Sequence, residues 1–492
     1  MIKYAHWGEK MNSKNKESKI KEKKFLCKKN ILSLLCFLVT IIFIIALVFI
    51  DLLPSKYVFL FSVIFILIDI IGISLLNVRK SVLKIIGIIL IFLSIIINGF
   101  GTYYLSTTDR FMKKSFTSSK KDYQNNTYYV LSLSSKNRKK DDISSEVSAY
   151  AETVYLDKAI EKLNKKYKVE KKEYQDIDSM FDNFNSEIDS FLLIEKSSYD
   201  IVSSISDRIN KDNYDILYQF DVFTEKDLNR NRNIEKFNVY IGGTDFAGLM
   251  DFNMIVTVNT ATHKVLLTSI PRDYYIEVIG KDGRRDKLSF MKVHGIDTNK
   301  DSLANFFDTN IDYSVIVDTN SLVDVVDYVG GIDFCSDYNF TTTHALVRDT
   351  YVDIGKKLTV HKGCQHLNGI ETLTVARERK AFPGSDQARQ ENCQKIILSI
   401  FKKIVSPDTM LHYNRTLNTL SSLYETNIPK EIVTNIAKDI LSNSDDWKVE
   451  TQAVSGEDGK DKVYLSNLID WVMYPNMDTV DAAKIKIKET LE

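Results

Sequence analysis

Arginine and aspartate side chains gather at the ends of predicted elements in the second half of the chain. Asp245 follows the strand "FNVYIGG", Asp251 immediately precedes "FNMIVTV", and Arg272 with Asp273 ends the strand "KVLLTSIPRD". The turn "NTATHK" between the last two strands predicts a hairpin. Neighbouring antiparallel strands place the start of one beside the end of the next, so Asp251 and Arg272 are expected at one edge of a sheet.

The opposite charges of Arg272 and Asp273 are adjacent in sequence. Successive side chains of an extended chain point to opposite faces, so each residue is expected to find its own partner. The structural alternative is that these charges are solvated or paired across the sheet, as charges at strand ends commonly are.

Three more arginines follow further along the chain. The stretch "VARER" predicts a strand in which Arg377 and Arg379 share one face, roughly 7 Å apart, while Glu378 points away. If so, Glu378→Gln should cost little, whereas Arg379→Lys should weaken activity. A Pro-Gly loop then leads to a long amphipathic helix whose first turns carry Arg389. Together with Arg272, these arginines require anionic partners.

Length and charge limit the possible classes of protein. The chain has 492 residues, 44% of them hydrophobic, and a formal net charge of zero. This length is typical of two or three domains, and the charge balance does not favour a nucleic-acid-binding protein. The main asymmetry is at the N-terminus, where ten of the first thirty residues are lysine.

Three apolar stretches, 31–50, 57–76 and 85–104, are each 20 residues long, which is the length an α-helix needs to cross a bilayer. They predict three transmembrane helices after a basic cytoplasmic tail. Positive charges precede the first stretch and surround the turn between the second and third, so the positive-inside rule places residues from about 106 to 492 outside the cell. Asp69 lies within the second stretch, and Asn98 of the third is its candidate hydrogen-bond partner.

Outside the membrane the strand and helix patterns alternate, which predicts an α/β (α+β) fold. Residues 106–234 are expected to form a linker and a small α/β accessory domain. Residues 235–405 are expected to form a larger domain with a central, mostly antiparallel sheet flanked by helices. Residues 406–492 are expected to be mainly helical and to pack on that domain, with one late strand, "WKVETQAVSG".

Five cysteines occur, and they show neither a CxxC pair nor the spacing of a zinc site. Cys335, Cys364 and Cys393 lie in the outside region and are predicted to be free thiols. One disulfide plus one free thiol is the alternative.

Five phrases of the sequence resemble, in this order and at the usual separations, the LytR-CpsA-Psr family. The similarity is greatest to its capsule-associated branch, in which three spans and an accessory domain precede the catalytic domain. The phrases are "DFNMIVTVNTATHKVLLTSIPRD", "DKLSFMKVHGID", "VDVVDYVGGIDF", "LNGIETLTVARER" and "ARQENCQKII".

The resemblance implies a phosphotransferase on the outer face of a bacterial membrane. Such enzymes move a glycopolymer, for example capsular polysaccharide or teichoic acid, from a polyprenyl diphosphate carrier to peptidoglycan and form a phosphodiester. The energy resides in the diphosphate, which suits a domain without access to cytosolic ATP. The main alternative is a non-catalytic polymer-binding or chain-length regulator. A transcriptional attenuator is disfavoured because no basic recognition helix lies on the cytoplasmic side.

Residue by residue, the resemblance assigns diphosphate binding to four arginines and metal coordination to two aspartates. The arginines are Arg272, Arg377, Arg379 and Arg389; the aspartates, for Mg²⁺ or Mn²⁺, are Asp245 and Asp251; Asp273 is a third candidate acid, and Gln394 and Lys287 are candidate substrate-binding residues. These residue types suit phosphoryl transfer, because guanidinium groups offer paired donors to phosphate oxygens and Mg²⁺ prefers hard oxygen ligands.

Three positions depart from the family pattern. Leu249 and Phe290 stand where capsule-branch relatives carry polar residues, and Cys393 replaces a common glutamine. Donor specificity or the path of the acceptor proton is expected to differ as a result. The resemblance makes neither Lys287 nor His294 the general base, and His294 is expected to be an ordinary packing or surface residue.

Overall fold

The structure is a computed structural model, which describes residues 29–116, 121–205, 209–227, 235–245, 248–294, 296–343, 357–381, 385–404, 424–443, 446–467 and 469–492. The chain divides into two compact units. One comprises residues 1–113 and 434–444, and the other comprises residues 114–433 and 445–492.

The first unit contains three helices that are long and apolar enough to cross a membrane by length and composition. They are α1 (Lys29–Ile50), α2 (Ser55–Leu75) and α3 (Ser81–Ser115). The three spans expected from the sequence are therefore confirmed as helices, and the third continues well beyond the apolar stretch that predicted it.

Asp69 is buried among these three helices. Its Oδ2 accepts a hydrogen bond from Thr40 Oγ1 at 2.6 Å, and its Oδ1 accepts from Ser94 Oγ at 2.6 Å and from Cys36 Sγ at 3.1 Å. Asn98 Nδ2 donates to the hydroxyls of Thr40 at 2.8 Å and Ser94 at 3.2 Å. Asn98 thus reaches Asp69 through two hydroxyls rather than directly, and the network links all three helices.

The second unit begins with a five-stranded sheet in the order β3-β2-β4-β1-β5. β2 runs parallel to β3 and β4, whereas β1 runs antiparallel to β4 and β5. Alternate residues of β1 face opposite sides, so Tyr128 and Val130 enter one core while Tyr129 and Leu131 enter the other. α4 covers the first face and α5 the second, as expected for an α/β domain. These elements are β1 (Lys121–Leu133), β2 (Ser145–Tyr150), α4 (Leu156–Asn164), β3 (Val169–Tyr174), α5 (Ile177–Asn185), β4 (Leu192–Glu195), α6 (Lys196–Ile205) and β5 (Tyr214–Asp227).

A six-stranded sheet in the order β16-β11-β6-β7-β8-β17 forms the centre of the larger domain. Three of its pairs are antiparallel, and β11 with β6 and β17 with β8 are parallel. The predicted hairpin across "NTATHK" is confirmed as β7 and β8. The strands are β6 (Lys236–Thr244), β7 (Met250–Asn259), β8 (Lys264–Ile270), β11 (Tyr313–Asp318), β16 (Tyr424–Thr426) and β17 (Lys448–Ala453).

Helices cover this sheet in two groups. One core packs residues of the sheet against α7 and α12, and another contains residues of α8, α9 and α10. These helices are α7 (Ile296–Phe306), α8 (Thr319–Tyr328), α9 (Gly369–Arg377), α10 (Ser385–Ile404) and α12 (Met477–Leu491). Helix α11 (Lys430–Asn443) precedes α12 in the chain, and its residues from 434 onward belong to the first unit.

Smaller strand pairs complete the described part of this unit. They are β9 (Tyr275–Glu277) with β10 (Arg285–Lys287), β12 (Ile332–Ser336) with β15 (Gly363–Leu367), β13 (Phe340–Thr341) with β14 (Thr359–Val360), and β18 (Gly456–Lys462) with β19 (Ile469–Pro475). The segment after residue 408 therefore contains more strand than the sequence predicted, and its late strand β17 extends the central sheet rather than merely packing on it.

The prediction of three free thiols in the outside region is wrong. Cys335 in β12 lies directly opposite Cys364 in β15, and the two form a disulfide. Cys393 is a free, buried cysteine. The sequence separates the paired cysteines by 29 residues, and only the pairing of the two strands places them within bonding distance.

Candidate active site

The candidate site lies where β7 begins and β8 ends. The register pairs Asn253 with Ile270, and two residues further along each segment Asp251 and Arg272 form an ion pair. The sheet edge predicted from the sequence is therefore where the structure places these two residues.

Three arginines converge on Asp251. Arg272 Nη1 forms an ion pair with its Oδ1, and Arg377 Nη2 lies 3.1 Å from its Oδ2. Arg389 Nη1 donates to its backbone oxygen at 2.9 Å. The three guanidinium groups come from the end of β8, the last turn of α9 and the first turns of α10, which are distant in sequence. One residue, Asp251, thus gathers the cations of three separate segments, two through its carboxylate and one through its backbone oxygen.

The electrostatics of the cluster follow from its partial burial. Burial would raise the pKa of Asp251, but the guanidinium groups of Arg272, Arg377 and Arg389 outweigh it and lower that pKa below its usual value. Burial opposes the charge of Arg272, yet Asp251 and Asp273 raise the pKa of that guanidinium. The Asp251 carboxylate and the Arg272 guanidinium are therefore both charged at neutral pH.

Asp273 contacts Arg272 directly, which corrects the expectation that the two would look elsewhere. β8 ends at Ile270, and Arg272 and Asp273 lie in a turn rather than in an extended strand. In that turn Arg272 Nε lies 3.4 Å from Asp273 Oδ2. Asp273 therefore braces the guanidinium from the side opposite to Asp251.

The predicted strand at "VARER" is also wrong. α9 runs to Arg377, and Glu378 leaves the helix with an extended backbone, φ −68° and ψ 128°. The missed signal is a capping box, in which the Asn368 side chain accepts from Glu371 N and the Glu371 side chain accepts from Asn368 N. Arg377 and Arg379 therefore do not share the face of a strand. Arg379 lies half-buried two residues after the helix ends.

Asp245 lies next to this cluster along the sheet edge. It follows Thr244, which pairs with Met250, the residue before Asp251. Its Oδ1 accepts from Leu249 N at 2.9 Å, and its own N–H donates to Leu249 O at 2.9 Å. Two carboxylates thus leave adjacent strands at one end of the sheet.

This pair of carboxylates has the donor chemistry of a magnesium site. Among the described residues no group of three or more His, Cys, Asp or Glu residues is arranged to hold a metal. Mg²⁺ commonly takes only one or two carboxylates and completes its shell with water and phosphate oxygens. Asp245 and the ionised Asp251 fit an ion of that kind.

Two residues predicted from the sequence to bind substrate, Gln394 and Lys287, have partners within the protein. Gln394 is buried, and its Nε2 donates to Ser269 Oγ at 2.9 Å and to Gln452 O at 3.1 Å, so it ties α10 to β8 and β17. Lys287 is buried, forms an ion pair with Asp470 of β19, and lies over the Phe290 ring at 4.1 Å.

The three departures from the family pattern are packing residues. Leu249 packs against the core that joins the accessory sheet to the larger domain. Phe290 is buried in the same core, and Cys393 Sγ lies 3.4 Å from Ala376 O. His294 is likewise a packing residue, as expected, because its buried ring stacks on Tyr464 with centroids 5.3 Å apart.

The fold and the site define an α/β domain with an arginine cluster at a sheet edge, preceded by three apolar helices. Residues 196–488, more than half of the chain, match the model of the LytR_cpsA_psr family. The chain belongs to this family, which confirms the resemblance found in its sequence.

Several relatives share the name polyisoprenyl-teichoic acid–peptidoglycan teichoic acid transferase TagU. The protein of Bacillus cereus (strain AH820) is 29% identical over 219 residues, which are 44% of this chain and 68% of the relative. That of Bacillus licheniformis is 31% identical over 201 residues, which are 40% of this chain and 61% of the relative. The crystal structure of B. subtilis TagU matches with a TM-score of 0.40 and 27% identity, covering 52% of this chain and 97% of that chain. The structure of TagT bound to LI-WTA matches with a TM-score of 0.40 and 21% identity, covering 54% of this chain and 94% of that one.

Proposed function

We propose that this protein is a membrane-anchored phosphotransferase that moves a glycopolymer from a polyprenyl diphosphate carrier to peptidoglycan. The observation that carries the proposal is the convergence of three arginines on Asp251: Arg272 and Arg377 on its carboxylate and Arg389 on its backbone oxygen. Relatives named as teichoic acid transferases support the class of reaction. Three apolar helices support attachment to a membrane.

In this reaction a hydroxyl oxygen of peptidoglycan attacks the phosphorus that carries the polymer. A new phosphorus–oxygen bond forms, the bond from that phosphorus to the bridging oxygen breaks, and polyprenyl phosphate leaves with the bond's electron pair. The hydroxyl proton is lost as the new bond forms. The phosphoanhydride bond of the donor is thus consumed and replaced by a phosphodiester bond, and the loss of that phosphoanhydride drives the transfer.

The arginines stabilise charge in this scheme. The diphosphate oxygens accept paired N–H donors from guanidinium groups that the fold holds in place, and charge that builds on the leaving phosphate meets the same donors. Asp273 holds Arg272 by its Nε and leaves the Nη side directed at Asp251. Arg379, one residue from Glu378 and two from Arg377, is the fourth donor.

Asp245 and Asp251 are the residues that would hold Mg²⁺, which supplies charge neutralisation at the phosphate oxygens when bound. Lys287 and His294 do not act as the base in this scheme. The first is paired with Asp470, and burial, chiefly, lowers the pKa of the second to about 4.

The positive-inside pattern supports an outside location for residues from about 106 to 492. The donor carries its own energy there, so the reaction needs no nucleotide. The polymer, whether capsular polysaccharide or teichoic acid, is set by the donor supplied to the enzyme.

The test uses the full chain in lipid nanodiscs with a polyprenyl diphosphate-linked glycan, peptidoglycan and Mg²⁺. We expect covalent polymer–peptidoglycan product and release of polyprenyl phosphate, both lost in Arg272→Ala. Arg285→Ala removes an exposed arginine of β10 and is the matched control. Polymer binding without phosphate release would instead support a chain-length regulator. Full activity after chelation by EDTA would contradict the role given to Asp245 and Asp251.

A further inference from the structure

Glu378 is a buried carboxylate that the reaction as described does not use. It lies between Arg377 and Arg379 in sequence, yet its side chain is 0% exposed. A carboxylate removed from water is costly unless hydrogen bonds satisfy its oxygens. The partners of Glu378 therefore indicate why the chain keeps an acid at this position.

Both oxygens of Glu378 accept backbone N–H groups. Oε2 accepts from Thr343 N at 2.6 Å, and Oε1 accepts from Ala381 N at 2.9 Å. The Thr343 hydroxyl adds contacts of 3.1 Å to each oxygen. A carboxylate has two acceptor oxygens and no donor, so it satisfies two N–H groups that point at it from different segments.

These hydrogen bonds join two stretches of backbone. Thr343 lies two residues beyond β13, and Ala381 closes the turn that follows α9. The backbone leaves the helix at Glu378, whose own N–H still donates to Val375 O at 3.2 Å. The carboxylate thus fixes the path of the chain at the point where the helix ends.

That point carries both arginines. Arg377 is the last residue of α9 and reaches Asp251 at 3.1 Å, whereas Arg379 is the residue after Glu378. A guanidinium group binds phosphate well only when its planar donors are correctly directed, so a shift in the turn would misdirect both groups together.

We propose that Glu378 is a positioning residue for the transfer reaction: it holds the turn that directs Arg377 and Arg379 at the diphosphate, without touching the substrate. The inference rests on the proposed function, because it takes the diphosphate as the ligand of these arginines.

The decisive variant is Glu378→Gln. Glutamine has the same shape but replaces one acceptor oxygen with an NH₂ group, which would face the N–H of Thr343 or Ala381, donor against donor. We expect the dissociation constant for inorganic pyrophosphate, measured by calorimetry on the full chain in nanodiscs with Mg²⁺, to rise at least about tenfold. The KM for the lipid-linked donor should rise with it.

Asn368→Ala is the matched control. It removes the N-cap of the same helix, which lowers the stability of the helix, and leaves the turn at Glu378 intact. If Asn368→Ala lowers the unfolding temperature as much as Glu378→Gln and weakens pyrophosphate binding equally, Glu378 has only a folding role and the proposal is overturned.

Thr343→Val is the second test variant, to be used if Glu378→Gln does not fold. It keeps the backbone N–H and removes only the hydroxyl contact, and we expect pyrophosphate binding to weaken about two- to threefold. Wild-type affinity in either folded variant would refute the positioning role. If the wild-type chain itself does not bind pyrophosphate, the diphosphate site of the proposed function fails, and this inference fails with it; binding that Glu378→Gln leaves unchanged overturns the inference alone.

Discussion

Two buried titratable groups of the second unit, His294 and Asp286, are expected to change the stability in opposite directions as the pH changes. Their two effects therefore nearly cancel in the wild-type protein. Burial, aided by Lys281 and opposed by Glu152, lowers the pKa of His294 from 6.5 to about 4. Burial raises the pKa of Asp286 from 3.8 to about 7, although its oxygens accept from the backbone N–H groups of Lys287 and Leu465. Among the described residues neither ring nitrogen of His294 has a hydrogen-bond partner, which accords with a neutral, buried ring.

The two groups act with opposite sign. Between pH 4 and 6.5 the unfolded chain binds a proton at His294 that the folded chain does not bind. The contribution of His294 to the free energy of unfolding is therefore complete above the pKa that this residue has in the unfolded chain, and it is lost as the pH falls. Over most of this range the folded chain holds a proton on Asp286 that the unfolded chain has released. The contribution of Asp286 to the free energy of unfolding is therefore complete at low pH, and it is lost as the pH rises toward 7. From roughly pH 4.5 to 6.5 each changes the free energy of unfolding by about 2 kcal/mol, in opposite directions.

The assay is thermal unfolding of the full chain in nanodiscs, followed by tryptophan fluorescence across this pH range. His294→Phe keeps a ring to stack on Tyr464 but removes the titrating imidazole. Compared with the wild-type profile, the unfolding temperature of this variant should fall by several degrees between pH 4.5 and pH 6.5. Asp286→Asn should give the opposite slope, and the double variant should return to the wild-type slope. Background titration of other carboxylates is common to all four proteins and cancels in the comparison.

The absolute stability of each variant is not the evidence, because Asp286→Asn also removes one acceptor from two backbone N–H groups. The evidence is the change of slope with pH. If the profiles of both single variants run parallel to the wild-type profile, neither group has the shifted pKa that its burial implies, and the reasoning is refuted.

Four further outcomes follow from the structure. Arg379→Lys keeps the charge but loses the planar paired donors, so the initial rate of transfer should fall at least about tenfold while the circular dichroism spectrum is unchanged. Alkylation in denaturant without reductant should leave Cys335 and Cys364 unlabelled by mass spectrometry; label at either would contradict the disulfide. Asp69→Leu removes the carboxylate that accepts hydrogen bonds from hydroxyl and thiol groups of the three helices, so it should lower the unfolding temperature in nanodiscs. An unchanged unfolding temperature would exclude a role of Asp69 in helix association. Asp251→Asn should tighten metal-free pyrophosphate binding, because the competing carboxylate is gone, and should reduce Mg²⁺-dependent transfer. If pyrophosphate affinity and the rate of transfer both fall, Asp251 is needed to hold the arginines in place.

Much of the fold was predictable because its signals are local. Three apolar stretches predicted three helices, and the strands on either side of "NTATHK" predicted the hairpin at whose open end Asp251 and Arg272 form an ion pair. The register of this hairpin is set by the alternation of the strands and the length of the turn, both of which can be counted in the sequence. The convergence at the sheet edge was therefore predictable from two strands alone.

The errors occurred where a distant segment decides the outcome. "VARER" has alternating charges typical of a strand, but the capping box at Asn368 starts a helix that continues through Arg377. Cys335 and Cys364 pair because β12 and β15 pair, and nothing in either strand alone indicates this. The burial of Glu378 depends on Thr343, which lies 35 residues earlier in the chain. The burial of Glu378 and its two backbone N–H partners therefore lead us to expect a larger cost for Glu378→Gln than the sequence suggested.

The charge balance of the site connects these observations with the proposed reaction. Asp251 offers its carboxylate to Arg272 and Arg377 and its backbone oxygen to Arg389, whereas Asp273 offers a second carboxylate to Arg272. Both oxygens of Asp251 face guanidinium groups, which are the donors that a diphosphate also needs. A diphosphate carries more negative charge than one carboxylate and accepts more paired donors, so it competes for the same N–H groups. When the diphosphate takes over these N–H donors, the carboxylate oxygens of Asp251 have lone pairs that can bind Mg²⁺. On the proposed mechanism the same residue would hold the arginines before the donor binds and the metal afterwards, so the ion pairs of Asp251 are compatible with the metal role that we propose for it.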